Sequence, residues 1–255
     1  MIDQQARILS EINLWQSFNN EHVKQSIDVY VDMKSPHAYL AIRPSLMLAK
    51  DFQIRINFLP YTLSYIETGV TTEINDKMER KPLNDAADRK ARMFYTTARE
   101  YAKLQDLPFR SPYRLLDSEL AHKAFLFAKQ QDLEIAFMLK VCTLGWGSGW
   151  REFELESTND LHKVLVDCGA NLEAFGQYIS ESGDGTKELE NCKLSAEASG
   201  IAGVPHYVLP DHDTQKGLSL FGREHLSLIR SKLSERGLKR RESVTSEFPH
   251  TWSSP

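Results

Sequence analysis

The sequence predicts an α/β fold: a mixed β-sheet interrupted by a large all-helical insertion. Three observations predict it. Near the start, two strand-like stretches flank one helical stretch. From Asp85 to about Cys192 the apolar residues then fall almost throughout at helical spacing. Two short strand patterns finally return around a polar turn and lead into a last helix.

In chain order, residues 1–24 read as an amphipathic helical extension, with Ile8, Ile12 and Trp15 three and four residues apart. "SIDVYVDM" is a strand, and "SPHAYLAIRPSLMLAKDF" is a helix expected to break or kink near Pro44. "QIRINFLPY" is a second strand, because Ile54, Ile56 and Phe58 alternate with polar residues. A long polar loop runs from about Ser64 to Asp85. "AADRKARMFYTTAREYAKLQ", "SELAHKAFLFAKQQDLEIAFMLKVCTLGW", "LHKVLVDCG", "NLEAFGQYIS" and "DGTKELENCKLSAEASG" supply the insertion, with Gly169 and Gly200 as candidate helix stops. "HYVLP", the turn "DHDTQK" and "GLSLFG" form a hairpin, followed by the helix "REHLSLIRSKLSER". The first two strands, joined through a helix, are expected to be parallel, and the hairpin antiparallel. This order is the layout of a thioredoxin-like domain at 25–62 and 193–236, with a loop and helical insertion at 63–192 and a disordered tail at 237–255.

The 255 residues suffice for a buried core, and a net charge of −4 gives no electrostatic reason to expect a nucleic-acid partner. The basic stretch "RSKLSERGLKRRES" reads as a solvated helix end rather than a binding patch. No apolar run approaches the length of a bilayer span, and no secretory leader pattern opens the sequence. Cys142, Cys168 and Cys192 are far apart and form no CxxC pair, which points to a reducing, cytoplasmic setting. "GWGSGW" lacks the lysine of a phosphate loop and reads as a break between insertion helices, with Trp146 and Trp150 packing near a cleft. Asp211–Asp213, His122 and His162 lack metal-ligand spacing, so no metal is expected.

The informative corner is "DVYVDMKSPHAYLAIRP". Ser35 followed by Pro36 is a good helix start, because the serine oxygen can accept from an orphan N–H and proline at the first position forfeits no bond. That local explanation is complete by itself. The functional alternative adds that a helix start after a strand attracts anions and lowers thiol pKa values, with Ser35 as hydroxyl donor and Lys34 as added charge.

"SPHA" resembles the Cys-Pro-His-Cys site of DsbA-type thiol oxidoreductases with both cysteines replaced. The wider "DVYVDMKSPHAYLA" is similar to kappa-class glutathione transferases and 2-hydroxychromene-2-carboxylate isomerases, matching at Ser35, Pro36 and Tyr39 and departing at Lys34 and His37. "GIAGVPHYVLP" resembles the segment whose proline, here Pro205, is cis, turning the Val204 backbone toward a ligand. "SLFGREHLSLI" resembles the element opening the last helix, with Glu224 and His225 where Asp and Arg are usual. A capped, charged helix start would explain that element equally.

Asp106-Leu107-Pro108 stands for a Gly-Leu-Pro turn, and the Asn-Lys-Pro-Pro element has only Asn75-Asp76-Lys77 or Arg80-Lys81-Pro82 as counterparts. The resemblance implies glutathione as co-substrate, Ser35 holding its thiolate, and Lys34, Pro36, His37, Val204, Pro205, Arg223 and Glu224 around it. Arg223 would take a carboxylate and Glu224 the γ-glutamyl amine.

The implied activity is transfer or isomerisation of an electrophilic, unsaturated or aromatic small molecule by reversible thiolate addition, in a protein able to form homodimers. With no thiol at 35 or 38, this corner cannot exchange disulfides. Two alternatives stand: a non-catalytic DsbA-like binding protein that has lost its CxxC site, and an oxidoreductase using another pair such as Cys142 with Cys192.

Overall fold

The computed structural model describes residues 6–7, 10–19, 23, 25–64, 85–210 and 217–248. A first helix α1 (Ile12–Asn19) leads to β1 (Ser26–Val31), helix α2 (Pro36–Asp51) and β2 (Arg55–Pro60). Among the described residues six helices follow: α3 (Asp85–Leu104), α4 (Glu119–Lys129), α5 (Glu134–Ser148), α6 (Thr158–Asp167), α7 (Phe175–Tyr178) and α8 (Asp184–Ala198). The chain then returns to the sheet as β3 (His206–Leu209) and β4 (Leu218–Phe221). A 3-10 turn at Arg223–His225 runs into α9 (Leu226–Glu235).

The strand order is β2-β1-β3-β4. β1 and β2 are parallel, with Val29 opposite Phe58, while β3 is antiparallel to both β1 and β4. The C-terminal ends of β1, β2 and β4 and the N-terminal end of β3 therefore meet at one end of the sheet. Everything the sequence marks as a candidate site leaves from that end.

β2 lies at the sheet edge, where unpaired backbone groups invite foreign strands. Here they are covered. The Asn19 side chain both donates to the Ile56 carbonyl and accepts from its N–H, each at 2.7 Å. Lys129 donates to the Phe58 carbonyl at 2.6 Å.

The expected break at Pro44 is absent: α2 is a single helix of 16 residues with Pro44 inside it. Proline removes the N–H that the Leu40 carbonyl, four residues earlier, would accept. The buried Gln105 side chain replaces it, donating to that carbonyl at 3.1 Å. A tertiary hydrogen bond therefore keeps intact a helix that local rules would interrupt.

"GWGSGW" does mark a break between insertion helices. It forms the end of α5, stopped by Gly149 in the left-handed region at φ 64°. Trp146 and Trp150 are fully buried and do not line a cleft. Trp146 stacks between Tyr39 and Phe109, and a Cβ at Gly145 would fall 2.2 Å from the Trp150 ring, so only glycine fits there.

The tail also departs from expectation. Residues 237–248 pack against the end of α2: Gln53 donates to the Leu238 carbonyl, and Arg240 Nε donates to the Phe52 and Ala49 carbonyls at 2.9 and 3.1 Å. Arg230 pairs with Asp51 at 2.8 Å and donates to Thr245. The C-terminal basic residues thus complement the negative end of α2. Residues 249–255, the loop 65–84 with its Asn75 and Arg80 segments, the Asp211–Asp213 turn and Ile8 lie outside the described residues. Among the described residues, no helix is long and apolar enough to cross a membrane.

Candidate active site

A tight turn from Asp32 to Ser35 joins β1 to α2. The Ser35 N–H donates to the Asp32 carbonyl at 2.9 Å, and the Lys34 N–H donates to the Asp32 carboxylate at 3.1 Å. The Trp146 indole donates to the Met33 carbonyl at 3.1 Å, fixing the turn to α5. Ser35 is the N-cap of α2 in extended conformation, and its Oγ accepts from the Ala38 N–H at 3.3 Å. A hydroxyl that accepts keeps its own proton to donate, and among the described residues no acceptor takes it. Ser35 is 6 % exposed, so the hydroxyl sits under the surface at the positive mouth of the helix.

Across the end of the sheet, the Val204–Pro205 peptide is cis. The pair Tyr30 and His206 sets Pro205 beside the end of β1. The Pro205 carbonyl accepts from the Gly222 N–H at 2.9 Å, which ties the start of β3 to the turn after β4. The backbone N–H and C=O of Val204 have no partner among the described residues. Gly222 is required by its backbone, whose φ is 101°.

Arg223 is 6 % exposed, its guanidinium lies 3.7 Å over the Tyr101 ring, and its Nη1 finds no hydrogen-bond acceptor. Burial pulls its pKa down, while Tyr101, Tyr207 and Glu224 oppose that. Glu224 itself is exposed. His37 is held below the usual imidazole range by burial and then by the Arg223 charge, with Glu224 opposing. Its ring meets Phe94 edge-on at 5.8 Å.

Lys34 lies elsewhere than expected. Its side chain is 5 % exposed and its ammonium is 3.7 Å from the Asp32 carboxylate, so its charge is already committed. Asp32 was not singled out from the sequence, yet it organises the corner. It is fully buried and accepts from the Leu63 N–H at 2.8 Å. Burial alone would push its carboxyl up; His122, Lys34 and the Ser118 hydroxyl beside it outweigh that and hold it at about 2. His122 Nε2 lies 3.4 Å from Asp32, and its Nδ1 lies 2.8 Å from the Thr62 hydroxyl. His122 reads from the sequence as a helical residue without partners, because Asp32 and Thr62 are 90 and 60 positions away.

All three cysteines are free. Burial pushes each thiol up, Cys168 to about 11, which is the reverse of what thiolate exchange needs. That argues against the reading in which Cys142 and Cys192 act as a redox pair.

A family model for the DSBA-like thioredoxin domain matches residues 26–234. The chain belongs to that family. No curated protein sequence matches it. Among solved structures it is similar to a 2-hydroxychromene-2-carboxylate isomerase, with a TM-score of 0.65 and 20 % identity over 83 % of this chain and 96 % of that one. A probable DsbA oxidoreductase from Streptomyces coelicolor gives 0.63 and 15 %, covering 87 % and 93 %. The cytosolic disulfide reductase DsbM from Pseudomonas aeruginosa, solved with GSH, gives 0.55 and 16 %, covering 83 % and 97 %. Identities this low establish the shared DSBA-like architecture.

Proposed function

We propose that this member of the DSBA-like family uses a thiol it does not carry: a glutathione-dependent isomerase or transferase acting on an electrophilic or unsaturated small molecule. The observation that carries this reading is Ser35, a hydroxyl with a proton to donate, capping a 16-residue helix where the family's redox sites have cysteine. The residues present fit such a ligand. Ser35 donates to the sulfur, aided by the N-terminal field of α2. The unpaired Val204 backbone groups accept and donate as a neighbouring strand would. Arg223, with its orphaned Nη1, takes a carboxylate, and the exposed Glu224 suits an ammonium. When bound, glutathione supplies the nucleophile for reversible addition to the second substrate.

The test is retention on glutathione immobilised at millimolar density, together with the ultraviolet absorbance of a bound thiolate. Wild type is expected to be retained and to show the thiolate; Ser35→Ala should lose both. A second reading, a DsbA-like binding protein without catalysis, draws on the low exposure of Ser35 and the withdrawal of Lys34 to Asp32. Binding of extended peptides beside Pro205, with no retention on glutathione, would select it.

A further inference from the structure

We propose that Asp32, His122 and Thr62 form a proton relay for the Ser35 corner, in which His122 accepts the proton that an incoming thiol loses and Thr62 carries it. The proposal rests on the thiol-using reading above and adds what that reading lacks, a destination for the proton.

The geometry has the order carboxylate, imidazole, hydroxyl. Asp32 Oδ1 lies 3.4 Å from His122 Nε2, and His122 Nδ1 lies 2.8 Å from Thr62 Oγ1. The Asp32 carboxylate beside Nε2, though not hydrogen-bonded to it, favours by its charge the tautomer with the proton on that nitrogen. Nδ1 is then an acceptor, and the Thr62 hydroxyl donates to it. Asp32 and His122 are closed to solvent, whereas Thr62 is half-buried, so Thr62 is where the pair reaches the surface. It does so at the right end of the molecule. Thr62 lies two residues beyond Pro60, which pairs with Val31 at the end of β1, and the Asp32–Ser35 turn leaves from there. The Leu63 N–H on Asp32 Oδ2 ties the two strand exits together.

The charges balance before and after transfer. The groups facing the pair are Lys34 from the same turn, Ser118 from the turn before α4 and Cys142 from α5, together with Thr62 after β2. The ion pair of Asp32 with Lys34 and the Cys142 thiol, raised by burial, leave His122 as the group that takes up the proton. In the step, the S–H bond breaks and its proton passes to Thr62 Oγ1 as the Thr62 proton passes to His122 Nδ1. One S–H bond is exchanged for one N–H bond, with no oxidant or reductant. The resulting imidazolium is held by Asp32, and the cluster then carries one positive charge against one thiolate at Ser35.

Nitrogen-15 NMR of the histidines tests this, with His122 assigned by the signal lost in His122→Asn. In the free protein the His122 proton is expected on Nε2. Reduced glutathione at neutral pH should convert the ring to the doubly protonated form, and S-methylglutathione, which has no proton to give, should not. Thr62→Val, a change at a half-buried site that leaves the core alone, should abolish the conversion. It should also raise the midpoint of the bound-thiolate absorbance by about one pH unit or more, the scale on which a neighbouring charge acts. Thr62→Ser should restore both. A proton on Nδ1 in the free protein, or a thiolate that forms while His122 stays neutral, overturns the relay and leaves the thiol reading standing. Failure of glutathione to bind at all, with no thiolate absorbance, overturns both and is told apart by that absence.

Discussion

Replacing Asp32 by Asn tests whether a buried, ionised carboxylate holds the corner together. Its carboxyl falls from an ordinary 3.8 to about 2 in the folded protein. At about 1.4 kcal/mol per unit, that difference corresponds to about 2 kcal/mol of stability from ionisation. The group is fully buried, so solvent does not dilute this figure. Because the folded value is the lower one, the contribution is fully present above the unfolded value and is lost as pH falls through the folded one. Two-state linkage places about 1 kcal/mol of the loss between roughly pH 6 and pH 3, and about another 1 between pH 3 and pH 2.

Asp32→Asn should lack this component and, by leaving Lys34 buried without its anion, should cost about 3–5 kcal/mol near neutrality. The assay is urea unfolding of both proteins across this range. Other carboxylates titrate in both and cancel in the wild-type minus variant difference, which reports Asp32 together with the His122 it faces. It should shrink by about 1 kcal/mol from roughly pH 6 to pH 3. A difference that stays constant over that interval would refute an ionised Asp32 in the cluster.

Gln105→Leu should destabilise the protein by about 1–3 kcal/mol by leaving the Leu40 carbonyl without a donor opposite Pro44, read from the urea midpoint. Asp51→Asn leaves the nearly buried Arg230 without its anion and should cost about 3–5 kcal/mol while exposing residues 237–248 to limited proteolysis. Arg223→Ala should abolish glutathione retention under conditions where the protein stays folded, with a modest fall in the unfolding midpoint from the lost stacking on Tyr101; retention unchanged in the folded variant would make Arg223 a purely structural residue. Ser35→Cys sets the field of the α2 terminus against burial: a thiol midpoint below the free-cysteine value of about 8.5 supports thiolate stabilisation at the corner, and one raised above it supports the binding-protein reading.

What could be read from the sequence was what is local. Ser35-Pro36 satisfies orphan groups within its own turn, so the helix start was visible as a cap. Ile54, Ile56 and Phe58 alternate because one face of β2 is buried. Pro205 was located through its likeness to known segments, since cis bonds are too rare to assign from residue type alone. Where partners are distant, the reading failed. Pro44 is a helix breaker until Gln105, 65 residues downstream of Leu40, replaces the missing N–H. Lys34 reads as an exposed cation until a buried Asp32 draws it inward. The Ser/Pro-rich tail reads as disordered because nothing local shows that Asp51 and the last carbonyls of α2 need cations.

On the thiol-using reading proposed above, the two halves of the corner would serve a bound sulfur in different ways. On the β2 side, Lys34 and Asp32 neutralise each other, so no fixed charge is left to attract solvent ions to the Ser35 mouth. On the β3 side, Arg223 is buried and stacked on Tyr101, with one nitrogen unpaired, while Glu224 stays in water. A thiolate between them meets the α2 terminus and the Ser35 proton, both of which act at short range and are strengthened where water is excluded. The same exclusion opposes any anion that arrives without compensation, because transferring a charge from water into this setting is costly. A positive charge that appears only when the thiol ionises meets both demands: it is absent while the pocket is empty and present when the sulfur is charged. On the relay proposed above, His122, set between the Asp32 carboxylate and the Thr62 hydroxyl, is placed to supply it.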